Sequence, residues 1–289
     1  VSGVLAGRAA LITGASQGLG LEIARAYLAD GASVFLCARD DAALAAAAEQ
    51  LAPVAIDGAA VGFQAADISD RAAVRSLVAA AVARFPGLSI LVNNAGVYGP
   101  MGAIDEVDWD EWVRAVEINL FGSVLVAREL ISQLRAVGGG KIIQLSGGGA
   151  TQPLEGLSSY GASKSAIVRF METLALELAD DHVDVNAIAP GAMNTRMLDE
   201  LLAAGPEAVG EAFYAKAIQQ RDSGGTPPAK GGELAVWLGS AASNGVTGKL
   251  LSAVWDPYRE FDAHREDLAT DIYTLRRIIP SDRGMDWGD

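Results

Sequence analysis

Tyr160 and Lys164, in the run Y-G-A-S-K, are the residues of this chain best suited to moving a proton. Four apart at the start of a helix, they share a face. A nearby ammonium favours phenolate and lowers a tyrosine pKa from about 10 toward working pH. A tyrosine tuned in this way passes a proton to or from a substrate oxygen. The spacing alone is equally that of an ordinary surface pair, so its placement in the chain matters. A second candidate is T-G-A-S-Q-G-L-G, Thr13 to Gly20. Gly14, Gly18 and Gly20 permit a tight turn and close backbone approach to a pyrophosphate, with Ser16, Gln17 and Leu19 between them at the mouth of a helix whose free N–H groups meet the anion. Glycines also mark plain turns, but here they fall between a strand pattern and a helix pattern.

The elements that must position these residues alternate along the chain. Strands are expected at 9–13, 33–37, 61–65, 88–93, 141–146 and 183–188, and helices at 18–29, 41–51, 71–85, 108 to about 136, and 160–179. Strands alternating with helices call for right-handed crossovers, hence a parallel sheet with helices on both faces. The near-continuous apolar character of the strands fits burial on both sides. The fifth strand then delivers Tyr160 and Lys164 to the carboxyl end of the sheet, where ligands bind in such folds. The second strand ends V-F-L-C-A-R-D-D, with neutral Ala38 at the tip and Arg39 next. An acid there would take ribose hydroxyls, whereas an Arg accommodates a 2′-phosphate, which favours NADP(H) and leaves NAD(H) possible. Asp40 and Asp41 partly offset that charge, and Arg39 could equally be a solvated side chain at a helix entrance.

Composition narrows the function. Lys and Arg number 22 against 36 Asp and Glu, a net charge of −14 that repels nucleic-acid backbones and anionic lipid. Lone Cys37 excludes an intrachain disulfide and a Cys-rich zinc site, and His182 and His264 are too few for a multi-His metal site. No metal site is expected. No apolar run reaches the roughly 18 residues of a membrane span, and the opening V-S-G-V-L-A-G lacks the basic flank of a signal peptide. A cytoplasmic setting is expected.

Taken in order, T-G-A-S-Q-G-L-G at 13–20, A-D-I at 66–68, N-N-A-G at 93–96, N-L-F-G at 119–122, Y-G-A-S-K at 160–164 and P-G-A-M-N-T at 190–195 resemble the short-chain dehydrogenase/reductase family from residue 7 to about 252. The resemblance implies a Rossmann-type, doubly wound seven-stranded parallel sheet and hydride transfer between a nicotinamide cofactor and an alcohol or carbonyl substrate. It makes Tyr160 the general acid/base, with Lys164 lowering its pKa and holding the nicotinamide ribose. Asn119 would hold a water in a proton relay. Asp67 and Ile68 would line the adenine site, Asn93 would lie along the cofactor with Pro190 and Gly191, and Met193 and Thr195 would contact the carboxamide end. It also implies a homo-oligomer, dimer or tetramer, built on the helices at 108–136 and 160–179.

One position departs from the family. Its substrate-orienting Ser stands about thirteen residues before the Tyr, which here is Gly147; Ser146 stands fourteen before. The glycines at 147–149 permit unusual backbone angles, so Ser146 is expected to shift into the role; otherwise it only ends the strand. Tyr98, Gln152, Leu154, Met193, Met197, Phe213 and Tyr214 are candidate substrate walls. A dinucleotide-binding regulatory protein with weakened chemistry is the alternative to an enzyme. The body is expected to span 1–252, with an irregular substrate-loop excursion at about 192–230, and 253–289 to form an extension. Phe261, Leu268, Ile272, Leu275 and Ile279 recur at helical spacing and predict an amphipathic helix there, with Trp255, Pro257, Tyr258 and Trp287 as anchors.

Overall fold

The structure, a computed structural model, describes residues 2–286; Trp287 lies outside the described residues. Seven parallel strands pair in the order β3-β2-β1-β4-β5-β6-β7. They are β1 (Ala9–Thr13), β2 (Ser33–Ala38), β3 (Val61–Ala65), β4 (Leu88–Asn93), β5 (Gly140–Leu145), β6 (Val183–Ala189) and β7 (Leu250–Ser252). Helices α1 (Gly18–Ala29), α2 (Asp41–Leu51), α3 (Arg71–Arg84), α4 (Trp109–Val116), α5 (Ser123–Ala136) and α6 (Ser158–Glu177) follow the successive strands. Strand order reverses between β1 and β4, which opens a crevice at their carboxyl ends.

Both faces of the sheet are covered. On one, Ile12, Leu36, Val92 and Ile188 pack with Ile23, Tyr27 and Leu44. On the other, Leu11, Leu91, Ile142 and Val185 pack with Leu77, Leu130 and Met171. The helix expected at 108–136 is continuous but not uniform, since a wider π turn at Glu117–Gly122 joins α4 to α5. Among the described residues no helix is long and apolar enough to cross a membrane.

The segment after β6 is more regular than expected. It folds into α7 (Arg196–Ala204), α8 (Pro206–Val209) and α9 (Glu211–Ser223), before α10 (Pro228–Gly239). Gly205, Gly210 and Gly224 have φ of +83°, +78° and +88° and form the joints between helices.

The extension corrects the sequence reading in the opposite sense. In place of one amphipathic helix there is a 3₁₀ segment at Tyr258–His264, the single turn α11 (Arg265–Leu268), and a 3₁₀ turn at Pro280–Arg283. Tyr258, Phe261 and Leu268 are nevertheless buried, in the same core as α1 and α10. Trp237 of α10 meets the rings of Tyr258 and Phe261 at 5.4 and 5.8 Å. Leu250 N donates to Tyr273 O at 2.8 Å, so the tail runs along the outer edge of the sheet. Phe261 and Leu268 of the expected stripe reach the chain's own core without helical periodicity, whereas Ile272 and Ile279 stay exposed. Trp255 is 84% exposed and makes no aromatic contact among the described residues. Phe261→Ala should therefore destabilise the fold by about 3–5 kcal/mol in urea denaturation; an unchanged midpoint would show the tail to be a passive appendage.

Candidate active site

The site forms where β1, β4 and β5 end. Thr13 closes β1, and the chain then turns through Gly14 and Gly18, at φ +64° and +58°. Asn94 Nδ2 donates to Thr13 O and Gly14 O at 2.9 and 3.0 Å, while Thr13 Oγ1 accepts from Asn94 N and Ala95 N. A Cβ at Gly20 would overlap the Asn94 amide. Asn94, the second Asn of N-N-A-G, is thus a residue the sequence reading passed over, and it locks the loop to β4. Its neighbour Asn93 donates to Ser123 O at 2.9 Å and leaves its own oxygen buried without a partner.

The loop suits a dinucleotide. Gln17 enters α1 in extended conformation with no side-chain cap, and the first turn carries no acid. The helix N-terminus is therefore open to an anion. Leu19 is buried in the core beneath, while the Gly18 Cβ position is 3.9 Å from Thr195 Cγ2, ordinary van der Waals contact. Thr195, at the start of α7, has no side-chain cap bond. Pro190 and Gly191 lead into this wall, Gly191 at φ +89° against Thr226. Met193 is held by its backbone oxygen, which accepts from Gln220 at 3.0 Å.

At the tip of β2, Arg39 is exposed and without an ion-pair partner among the described residues. Asp40 instead caps α2, accepting from Ala43 N at 3.0 Å. Asp67 accepts from Ser69 and is ion-paired with Arg114. Burial raises its pKa, but these hydrogen bonds and the Arg114 charge prevail and hold the carboxyl below its ordinary value. Ile68 packs where a side chain at Gly122 would otherwise stand.

Tyr160 and Lys164 are both buried on α6. Lys164 Nζ donates to Leu145 O at 2.8 Å and lies 5.8 Å from the Tyr160 ring centre. It approaches Gly96 so closely that a Cβ there would be 3.3 Å away. The Asn119 side chain is fully engaged: Oδ1 accepts from Val97 N, and Nδ2 donates to Val97 O and Ser163 Oγ, all within 2.8–3.0 Å. Ser163, which the sequence reading did not single out, donates in turn to Tyr160 O.

Two expectations need correction. Lys164 does not lower the Tyr160 pKa in this structure; burial, and then the neighbouring Tyr98, push the phenol up. The ammonium is itself desolvated, which brings Lys164 down to about 8, and its hydrogen bond goes to the backbone. Nor does Ser146 meet Tyr160. Its hydroxyl is buried with no hydrogen-bond partner, and it is Gly147 whose Cβ position falls on the Tyr160 hydroxyl. Gly147 is fully extended and leads into a 3₁₀ turn at Gly148–Ala150, so the glycines bring bare backbone against the phenol.

Of the expected substrate walls, Tyr98, Leu154, Met197, Phe213 and Tyr214 gather in one apolar cluster with Tyr160, Leu157 and Leu201. Met193 packs against the sheet core instead. Gln152 lines an open cavity of about 390 Å³ between Gly149 and Ser165, on a surface that does not include Tyr160.

The family model described as short chain dehydrogenase matches residues 8–205. The 3β-hydroxysteroid dehydrogenase 1 of Eggerthella lenta is 36% identical over 248 residues, 86% of this chain and 92% of that one. The D-β-hydroxybutyrate dehydrogenase of Cupriavidus necator is 32% identical over 258 residues, 88% and 97% of the two chains. The crystal structure of a variant of actinorhodin polyketide ketoreductase with NADPH superposes with a TM-score of 0.76 at 29% identity, covering 87% of this chain and 97% of that one.

The depressed Lys164 pKa sets a pH dependence. Below about 8 both folded and unfolded chains hold the proton; between there and the ordinary 10.5 only the unfolded chain does. Stability therefore rises with pH across that window. Urea denaturation near pH 7 and near pH 10 should show a gain of up to roughly 3 kcal/mol in the wild type over that in Lys164→Met. The same pH dependence in both proteins would contradict the assignment.

Proposed function

The chain belongs to the short-chain dehydrogenase/reductase family, oxidoreductases of alcohol and carbonyl groups, and we propose that it uses NADP(H) in preference to NAD(H), with Tyr160 as general acid/base. The observation that carries the reading is the burial of Tyr160 and Lys164 together at the carboxyl end of β5, across the crevice from the open N-terminus of α1. When bound, the nicotinamide supplies or takes a hydride. Gly14 to Gly20 and the α1 N-terminus would hold its pyrophosphate, Asp67 and Ile68 would border the adenine, Asn93 would lie along it, and Pro190, Gly191, Met193 and Thr195 would border the nicotinamide end.

The chain's own residues do the rest. Tyr160, kept neutral by burial, is loaded to give a proton to a carbonyl oxygen, which suits reduction. Lys164, held by its bond to Leu145 O, would reach the ribose. Asn119 holds the Val97 backbone and, through Ser163, the start of α6, and its neighbourhood would carry the water of a proton relay. Ser146 has no contact that supports an orienting role. This is also the one feature favouring the alternative, a dinucleotide-binding protein with weakened catalysis. The preference for NADP(H) rests on exposed Arg39 beside neutral Ala38. The reading includes a cytoplasmic homo-oligomer, a dimer or tetramer, supported by exposed Trp109, Phe121 and Leu176 on the helices expected to associate.

Two measurements test this. Tyr160→Phe should lower turnover of a ketone or alcohol panel by about 10²–10⁴ with cofactor affinity retained; near-normal turnover would refute the acid/base assignment. Arg39→Ala should weaken NADPH binding about tenfold or more while leaving NADH within about twofold, as read by titration of cofactor fluorescence. Tighter binding of NADH than NADPH by the wild type would reverse the cofactor assignment.

A further inference from the structure

A carbonyl placed at Tyr160 would lack a second hydroxyl from the loop after β5. Gly147 has none, and the buried Ser146 hydroxyl makes no hydrogen bond to Tyr160 or to any other described residue. A single donor fixes an oxygen's distance but not its direction, and productive transfer depends on orientation. A second donor has to come from elsewhere in the cluster around Tyr160.

Tyr98 stands there. Its ring centre is 4.8 Å from that of Tyr160, edge to face at 66°. The segment bearing it is held on three sides. Asn119 grips both backbone polar groups of Val97, and Ser159 Oγ donates to Tyr98 O at 3.2 Å. Gly99, at φ +76°, fits so tightly against Ala115 and Ser159 that a side chain there would collide with both. This much restraint on one loop residue is what presentation of a side chain in fixed geometry requires. The Tyr98 hydroxyl itself is engaged by no protein group among the described residues, while its backbone oxygen is. Burial, and then the charge of Glu200, raise its pKa and keep it a neutral donor.

The surroundings select the substrate. Leu154, Leu157, Met197, Leu201 and Phe213 pack around the two tyrosines. The carboxylate felt at Tyr98 belongs to Glu200, whose own partner is Arg196 at 2.9 Å. An anionic substrate would meet apolar walls and the Glu200 carboxylate, while the neighbouring Arg196 charge is already paired with that carboxylate. We propose that Tyr98 supplies the second hydroxyl that orients the carbonyl oxygen of a neutral, largely apolar ketone in a site without the usual serine. Tyr98 donates a hydrogen bond and keeps its proton; the proton transferred is that of Tyr160. The proposal rests on the reading of Tyr160 as the acid.

The test uses the full chain with NADPH, two neutral ketones (cyclohexanone and α-tetralone) and two anionic ones (acetoacetate and 2-oxobutyrate). Tyr98→Phe keeps the ring and removes only the oxygen. It should lower kcat/KM for the neutral ketones by about 10- to 100-fold, with melting temperature and NADPH affinity unchanged. Wild-type kcat/KM should be higher for the neutral pair. Activity of Tyr98→Phe within about twofold of wild type overturns the proposal. So does loss on Ser146→Ala in its place, or a wild type that reduces only the anionic pair; in those cases Tyr160→Phe is still inactive and the acid assignment stands. Full activity of Tyr160→Phe removes the underlying reading and the proposal with it.

Discussion

A buried ammonium is among the costlier groups a fold can contain unless its donors are met. Lys164 is buried beneath Tyr160 on α6, and the protein acceptor that meets it is the carbonyl of Leu145, the last residue of β5. That contact ties the proton-handling helix to the carboxyl end of β5, one strand from the switch point between β1 and β4. The cost is visible in the lysine, whose pKa falls to about 8, and in the tyrosine, whose phenol is held neutral. Much of the surrounding architecture maintains this arrangement. Gly96 makes room for the ammonium, and Asn119 joins the loop after β4 to the start of α6 through Val97 and Ser163. The π turn at Glu117–Gly122 carries Asn119, and Gly122 allows Ile68 to pack against it.

The same sheet ends carry polar atoms that the protein does not satisfy. Both amide atoms of Gln144, the Asn93 oxygen and the Ser146 hydroxyl are buried and unpartnered, with Gln144 and Asn93 opposite each other in register. Buried polar groups are ordinarily satisfied, and those that are not concentrate where ligands or ordered water complete the pairing. Their concentration at β4 and β5, beneath the Tyr160 site, matches a fold that keeps its unsatisfied chemistry at one end of the sheet.

Most of the framework was legible in the sequence because it rests on local signals. Strand β1 and helix α1 fall at the expected residues, since an apolar run followed by glycines and a helix pattern leaves little choice. The parallel order and the gathering of Tyr160, Lys164 and the glycine loop followed from alternation and the resemblance. What was not legible depends on tertiary contacts. The excursion at about 192–230 read as irregular chain, yet positive-φ Gly205, Gly210 and Gly224 join four helices there. The apolar spacing from Phe261 to Ile279 read as a helix, but Tyr258, Phe261 and Leu268 reach the core from 3₁₀ and single-turn segments, and Tyr273 takes φ +58°. The sign of the Tyr160 shift depends on burial, reinforced by the neighbouring Tyr98. The position of Ser146 depends on how three glycines turn, and neither is encoded in residue spacing.

The chemistry turns on the protonation state of one phenol, and that state is directly observable. With ¹³Cζ-tyrosine incorporated, the NMR resonance missing from Tyr160→Phe identifies Tyr160, and its shift can be followed across pH in the protein alone. If burial governs the phenol, this resonance stays at the neutral position past pH about 10, the ordinary tyrosine value. Titration at or below about 8 would mean that the Lys164 charge governs it instead, and would contradict the burial-dominated site described above.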